Sequence, residues 1–302
     1  MYVLIAFLTP LLHALSCIVD AHFSNNIFKK IPSLVFYATI SNVIIIPFLF
    51  FFGTPIIPPL EILAILFIIS VIEVCYQIPY YHALRNIDTS IVVALFSLGK
   101  ITIPVFAYFI VNEKLSLTQY CGFGIILLST FLLNFDIKKL KLNIAFFLML
   151  VVSILLSLSS VLSKYSLQNV DFVTVLFWGS IFATAICLSL LLLPQYRTDI
   201  ISMFPQYKKK IKLFLSNELL NQGGTLALTI ALAYLPVLVV ESIESSQSIF
   251  TLLLGFVLYK IFGNHFKENL STYDVIKKLI SFTVIIIGIY TVSYTHLRAH
   301  ET

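Results

Sequence analysis

Ten apolar segments, each about 20 residues long, follow one another along this chain of 302 residues with short connections between them. A helix needs about 20 mostly apolar residues to cross the hydrocarbon core of a bilayer, and a helix satisfies all its backbone hydrogen bonds there. The pattern therefore predicts an all-α, multi-pass integral membrane protein with ten transmembrane helices. The segments cover residues 2–21, 33–52, 60–82, 88–111, 117–135, 143–164, 171–193, 212–234, 237–260 and 276–294.

Composition excludes a water-soluble fold. Hydrophobic residues make up 59% of the chain and charged residues 11%, whereas a soluble domain contains roughly 45–50% and about 25% of these classes. One soluble core cannot hide this much apolar surface, so the solvent is predicted to be a lipid bilayer. A soluble enzyme, a nucleic-acid-binding protein and a disordered scaffold are excluded on this basis.

The sequence contains no motif for a cofactor or a metal ion. Its four cysteines each fall in a different apolar segment, without the spacing of zinc ligands or of a redox pair. No Gly-x-x-x-x-Gly-Lys-Ser/Thr loop is present to hold nucleotide phosphates. Neither a cofactor nor a metal is therefore expected, and energy for transport would come from solute gradients or from a partner.

Two pairs of stretches indicate an internal repeat. Residues 11–20 align without gaps with residues 155–164, and 113–116 before the fifth segment match 268–271 before the tenth. Each half then holds five segments, and an odd number of helices per repeat places the halves in opposite membrane orientations, as in many secondary transporters. The predicted units are an inverted five-helix repeat at 1–136, its partner at 143–294 and a non-native tail at 293–302.

The corner between the fourth and fifth segments reads Asn112-Glu113-Lys114-Leu115-Ser116. Together with ten segments in two five-helix halves, this corner resembles the EamA branch of the drug/metabolite transporter superfamily, whose members usually have Gly-Glu-Arg/Lys-Leu-Ser there. Asn112 replaces the glycine. Residues 245–250 also resemble the ninth helix of some members. The resemblance covers about residues 2–294 and implies a secondary transporter of small metabolites.

The distribution of Lys and Arg bears on orientation. Fifteen of these residues lie in or beside the loops after the odd-numbered segments, and three lie on the other side: Lys114, Lys164 and Arg298. Because cytoplasmic loops carry the excess of Lys and Arg, this count places both termini outside the cytoplasm. The family resemblance implies the opposite orientation, with both termini in the cytoplasm. The sequence leaves both orientations open.

Five ionisable residues lie within the apolar segments, namely Glu73, Lys100, Glu218, Glu241 and Glu244. A charge at the bilayer centre costs about 2.5–3.5 kcal/mol on insertion scales, so such residues normally face a bundle interior or a water-filled cavity. Lys100 lies in the middle of its segment and is interpreted either as a structural ion-pair partner of a glutamate or as the group that meets an anionic part of a substrate. Glu241 lies one turn from a proline and is expected at the interface.

Polar side chains at helical spacing accompany these charges. Helix-to-helix hydrogen bonding is the alternative explanation for them, and a packed histidine is the alternative for His13. Asp20 and Lys164, at equivalent positions of the repeat, are both expected at the membrane interface. The predicted substrate-binding or coupling residues are His13, Glu73, Gln77, Lys100, Glu218, Asn221, Gln222, Glu244 and Gln247.

Proline and glycine give further expectations about the backbone. Pro10, Pro47, Pro79 and Pro104 lie inside segments of the first half and predict kinks beside a cavity, with packing curvature as the alternative. Residues 195–211, which contain Pro205, are predicted to be the longest loop. The pair Gly223-Gly224 either loosens its helix or allows a neighbour to approach closely.

The predicted function is a secondary transporter, an exporter or exchanger of small metabolites that works by alternating access around a midplane site. One lysine against several glutamates suits a zwitterion such as an amino acid. Glu73, Glu218 or Glu244 could carry a coupling proton. The alternatives are an integral-membrane lipid or prenyl transferase, and a channel or structural subunit. The protein is expected in the bacterial inner membrane as a monomer or homodimer, with no nucleic-acid partner.

Overall fold

The chain was analysed as a computed structural model, and all its regular structure is helical in the residues described. These are residues 1–86, 89–114, 116–134, 144–262, 283–284 and 287. The first half contains α1 (Tyr2–His22), α2 (Ile31–Ser41), α3 (Ile46–Leu49), α4 (Leu60–Cys75), α5 (Gln77–Asn86), α6 (Thr89–Gly99), α7 (Ile103–Ile110) and α8 (Leu117–Asn134). The second contains α9 (Ile144–Leu167), α10 (Phe172–Ser189), α11 (Pro194–Tyr234), α12 (Val237–Glu244) and α13 (Gln247–Phe262).

Among the described residues, six helical segments are long and apolar enough to cross a membrane, and they coincide with predicted segments one, two, three, six, seven and nine. Predicted segments four, five and eight are also helical, within α6–α7, α8 and α11. Most of segment ten lies outside the described residues, so ten helices in two inverted repeats stay a prediction. The six segments are Tyr2–Ile27, Ile31–Leu49, Leu60–Asn86, Phe147–Leu167, Phe172–Leu192 and Val237–Gly255.

Helices of the two predicted halves pack against each other around a central space. Helix α1 packs on α11 and also on α13, α6 packs on α9, and α4 packs on α10. The α6–α9 crossing is close because Gly99 has no side chain: a Cβ atom there would collide with the backbone of Ser153 and Ile154. Small residues at such crossings let transmembrane helices approach within backbone contact.

Three of the four interior prolines follow interruptions of the α-helical pattern, as predicted, whereas Pro10 lies inside the continuous helix α1. Short 3₁₀ turns at Asn42–Ile45 and Lys100–Thr102 directly precede Pro47 and Pro104, and α4 ends and α5 begins within one turn before Pro79. Proline cannot donate its backbone hydrogen bond and its ring crowds the preceding turn. The 3₁₀ turn before Pro104 begins with Lys100, which lines the central space.

The predicted loop at 195–211 is wrong, because these residues form the first part of the continuous helix α11. Pro205 removes one helical hydrogen bond, which costs about 3 kcal/mol or more in a helix interior, but tertiary packing offsets this cost. The ring of Tyr207 stacks on Tyr37 of α2 at 4.4 Å. The Tyr37 hydroxyl donates a 2.7 Å hydrogen bond to the carbonyl of Ile200, which is itself buried.

Candidate functional site

All nine predicted site residues line one central cavity of about 330 Å³. Its wall is built from α1, α4, α5, α9, α10 and α11, the 3₁₀ turn at Lys100, and the ends of α12 and α13. Since helices from both predicted halves contribute, the cavity lies between them. The residues brought together are His13, Glu73, Gln77, Lys100, Glu218, Asn221, Gln222, Glu244 and Gln247.

Lys100 forms a buried ion pair with Glu241. The Lys100 Nζ lies 2.9 Å from Glu241 Oε2 and also donates a 3.3 Å hydrogen bond to the Glu241 carbonyl oxygen. The two residues are 9% and 4% exposed. The expectation that Glu241 lies at the membrane interface is therefore wrong. That expectation used only the distance of Glu241 from Pro236 along the helix, which does not show that the 3₁₀ turn at Lys100 packs over Glu241.

His13 and Glu244 form the second charged contact between the halves. His13 Nδ1 lies 2.9 Å from Glu244 Oε1. Gly224 of α11 makes room for this histidine, because a Cβ atom there would collide with the His13 ring. Helix α11 continues without a break through the glycine pair, so Gly224 serves close approach rather than loosening of the helix.

Three further carboxylates line the same cavity with neutral partners. Asp20 accepts hydrogen bonds from the Tyr80 hydroxyl at 3.1 Å and from Asn217 Nδ2 at 2.8 Å. Glu73 Oε1 accepts one from Ser159 at 3.2 Å. In the part of the chain that the structure describes, none of Asp20, Glu73 and Glu218 pairs with a basic side chain.

Glu218 is the most isolated of these acids. It is 3% exposed, and its Oε2 atom has no hydrogen-bond partner among the described residues. Asp20 also differs from expectation: it was predicted at the membrane interface, but it lines the cavity because Tyr80 of α5 and Asn217 of α11 reach it from both sides.

The polar residues of the predicted site take distinct positions. Gln77 forms hydrogen bonds with two helices. Its Nε2 donates to the Glu73 carbonyl of α4 at 3.0 Å and to Thr39 Oγ1 of α2 at 3.3 Å. Asn221 and Gln222 project from α11, one turn after Glu218, and Gln247 begins α13. These amides supply donors and acceptors next to the charged groups.

A serine-rich face of α9 was missed at the sequence level. Ser153, Ser157, Ser160 and Ser163 recur at spacings of three and four and line the cavity. That periodicity, in a helix otherwise apolar, is the signal that could have found them. Tyr81 joins Tyr76 and Tyr80, which share a helix face with Glu73.

The helix break in segment nine was also missed. Helix α12 ends at Glu244 and α13 begins at Gln247 without a proline between them. The hydroxyls of Ser245 and Ser246 instead donate to the carbonyls of Glu241 at 2.8 Å and Ile243 at 2.6 Å. Serine side chains that bond nearby carbonyls compete with the helical pattern, so the Ser-Ser pair is the sequence signal for this break.

Outside the cavity, the corner at Asn112 and Glu113 connects the halves. Asn112 has φ of +55°, a left-handed conformation that glycine and asparagine adopt most readily. Both carboxylate oxygens of Glu113 accept from the backbone N–H of Val237 at the start of α12, at 3.2 and 3.0 Å. Burial raises the pKa of Glu113, while the Val237 hydrogen bond and the charge of Lys164 oppose that rise.

Lys164 holds the other side of the same junction. Its Nζ donates hydrogen bonds of 2.6 and 2.9 Å to the carbonyls of Leu232 and Leu235, where α11 ends. A cation at a helix C-terminus and an anion at a helix N-terminus both complement the helix dipole. Glu113 of the corner motif and Lys164 of α9 thus have a structural role at the α11–α12 junction.

Comparisons with known proteins agree with this architecture. A solved structure titled only as the crystal structure of a protein superimposes with a TM-score of 0.66 at 13% sequence identity, covering 99% of this chain and 98% of that chain. At this identity the likeness concerns the fold alone. No curated protein matches the sequence.

The sequence model of the EamA-like transporter family matches residues 1–135. This match confirms, over residues 1–135, the resemblance drawn from the Asn112–Ser116 corner. With the apolar helices, it indicates a multi-pass integral membrane protein. Residues 1–135, a little under half of the chain, are thus similar to the EamA-like transporter family.

Proposed function

We propose that the protein is a secondary transporter of small metabolites that binds its substrate in the central cavity. The observation that carries this proposal is the convergence of nine polar and ionisable side chains on one cavity of about 330 Å³ inside a bundle of apolar helices. Ionisable groups in membrane segments are costly to bury and characteristically line substrate or ion pathways.

Alternating access would separate the two predicted halves at their charged contacts. Lys100 and His13 belong to the first half, and their partners Glu241 and Glu244 belong to α12 of the second. Both contacts lie beside helix interruptions, at the 3₁₀ turn of Lys100 and at the Ser245–Ser246 break. Discontinuous helices at the repeat interface form the substrate sites of many secondary transporters.

Amino acids are the first substrate class to test, since their amine and carboxylate groups match a cavity of mixed charge. A proton is the proposed coupling ion, carried by Glu73, Glu218 or Glu244. We further propose that the protein works in the bacterial inner membrane, as a monomer or homodimer.

Counterflow in proteoliposomes tests the proposal. Purified full-length protein is first screened by thermal shift with amino acids, sugars, polyamines and nucleotide sugars, because a ligand of the folded state raises apparent stability. Vesicles loaded with the best ligand should then accumulate its labelled form, and Lys100→Ala and Glu244→Gln should abolish the uptake. Lys30→Ala, at an exposed surface pair with Asp199, is the control and should transport normally. Ion conductance without counterflow would instead establish a channel.

A further inference from the structure

The cavity holds more negative than positive groups, and they are distributed unevenly. Five carboxylates line it, but its two basic side chains already have acidic partners: Lys100 is paired with Glu241, and His13 with Glu244. The carboxylates left over are those of Asp20, Glu73 and Glu218.

The three remaining carboxylates form one acidic wall, contributed by α1, α4 and α11. Their hydrogen-bond donors are neutral groups: Tyr80 and Asn217 for Asp20, and Ser159 for Glu73. The buried Oε2 atom of Glu218 has no partner among the described residues. A buried carboxylate without a basic partner must take up either a proton or a cation.

Aromatic rings stand beside this acidic wall. Tyr76, Tyr80 and Tyr81 line the cavity, with ring centroids 6.0 Å apart for the first two and 5.1 Å apart for the last two. An ammonium group is attracted to an aromatic face, most strongly where water is excluded. Carboxylates next to tyrosine rings are therefore suited to an organic ammonium ion.

A metal ion fits this wall less well than an organic cation. Among the described residues, no three His, Cys, Asp or Glu side chains come close enough together to hold a metal ion. Ca²⁺ requires six to eight oxygen ligands at about 2.3–2.6 Å. An ammonium group on an alkyl chain needs fewer close oxygens and gains contact with the rings.

We propose that Asp20, Glu73, Glu218 and the tyrosines beside them bind a primary ammonium group, so that the transported substrate is an amine carrying more positive than negative charge. This inference rests on the proposed transport function, but among small metabolites it favours amines with a net positive charge over amino acids of zero net charge. An amino acid would bring a carboxylate into a cavity whose basic side chains, Lys100 and His13, already have acidic partners. A diamine brings only positive charge, which the acidic wall lacks.

The test compares four small molecules of similar length on the full-length protein in nanodiscs. Putrescine carries two amines, ornithine is the same diamine with an added carboxylate, 1,4-butanediol is a neutral analogue, and succinate is an anionic one. Thermal shift and equilibrium binding should rank putrescine first and ornithine second, with no response to the diol or to succinate.

Variants locate the bound ammonium group. Glu218→Gln and Glu73→Gln should each weaken putrescine binding about tenfold, the change expected from about 1.4 kcal/mol of lost charge pairing. Glu61→Gln is the matched control, because Glu61 lies on α4 like Glu73 but outside the cavity, where it accepts a hydrogen bond from Tyr165. Its affinity should equal that of the unmodified protein.

Two sets of results would overturn the ammonium site. The first is binding of the diol or of succinate that is as strong as that of putrescine. The second is putrescine affinity that is absent, or that is unchanged in both Glu218→Gln and Glu73→Gln. Counterflow of any metabolite in the screen separates this failure from failure of the transporter itself: counterflow without amine binding leaves the transport function standing and assigns it another substrate.

Discussion

At the corner around Leu235 and Pro236, Glu113 and Lys164 each meet backbone groups that a helix end leaves unsatisfied. In the cavity, Lys100 meets the side chain and carbonyl of Glu241, and His13 meets Glu244. One oxygen of Glu218 has no hydrogen-bond partner among the described residues. In one region, these residue types are thus matched to backbone groups at helix ends. In the other, they are matched to side chains of the opposite predicted half or, for Oε2 of Glu218, to no described group.

This difference separates a structural junction from a binding region. Groups matched to backbone at a helix end cannot exchange partners without unwinding the helix. Side-chain pairs across two halves can separate and re-form with a substrate. We therefore expect corner variants to change stability with little effect on binding, and cavity variants to change binding as well as stability.

The largest effect is expected from Lys100→Ala. This change leaves Glu241 buried without its cation, and removal of one partner of a buried pair costs about 3–5 kcal/mol. The apparent melting temperature in nanodiscs should fall accordingly. The double variant Lys100→Met with Glu241→Leu should recover most of the stability but no transport. Full stability in Lys100→Ala would show that the pair contributes nothing to the fold.

Gly224→Ala should come next, at about 1–3 kcal/mol, the usual cost of forcing atoms into a packed site. The added methyl group displaces the His13 ring and so weakens its contact with Glu244. Gly223→Ala is the matched control, since its Cβ atom would meet Leu12 at 3.4 Å, close to an ordinary contact. Melting temperature and ligand affinity measured for both variants check this, and equal losses would contradict it.

Glu113→Gln should change stability by about 1 kcal/mol or less, the range of a helix-end charge interaction, and leave ligand affinity unchanged. Because the pKa of Glu113 is raised in the folded protein, the folded state holds this proton to higher pH than the unfolded state. The stability contributed by the glutamate therefore falls as pH rises from its ordinary pKa of about 4.3 through the raised value.

Melting temperatures of the wild type and Glu113→Gln between pH 4.5 and 7.5 measure that dependence. The advantage of the wild type over the variant should shrink as the pH rises. An advantage that grows with pH would mean that the Val237 and Lys164 interactions outweigh the cost of burial.

Asn112→Gly should have the smallest effect, a stability change of less than about 1 kcal/mol. Glycine adopts the left-handed conformation of this position without steric cost. Asn112→Ala, in contrast, should destabilise by about 1 kcal/mol, because its Cβ atom crowds the backbone at positive φ. Denaturation of both variants tests this, and equal stability of the two would show that the corner relaxes to another conformation.

The sequence predicted which residues line the cavity better than it predicted which of them pair with each other. Glu73, Lys100 and Glu218 were identified because a charged side chain in an apolar segment must face away from lipid. This rule applies without any knowledge of the neighbouring helices. The partner of Lys100 could not be deduced, since Glu241 and Glu244 stand on the same helix and only the position of the 3₁₀ turn selects between them. Asp20 was misplaced for the same reason: depth along a helix does not give its lateral neighbours.

Helix boundaries were predictable where proline removed a hydrogen bond, as before Pro104. They were not predictable where side chains from elsewhere decided the outcome. Pro205 suggested a loop, but stacking of Tyr207 on Tyr37 keeps α11 continuous. Ser245 and Ser246 interrupt a segment that hydropathy alone treats as one helix.

Helix α11 is so long that a small tilt near the cavity moves its distant end by several ångströms. Its 41 residues extend about 60 Å at 1.5 Å per residue, farther than the roughly 40–45 Å of a bilayer with its headgroups. The part of α11 between the close contact at Gly224 and its first residue, Pro194, is about 45 Å long. A tilt of about 10° around that contact would move the far end by about 8 Å. A spin label near Asp199 would therefore magnify small rearrangements at the cavity into distances that are easily measured.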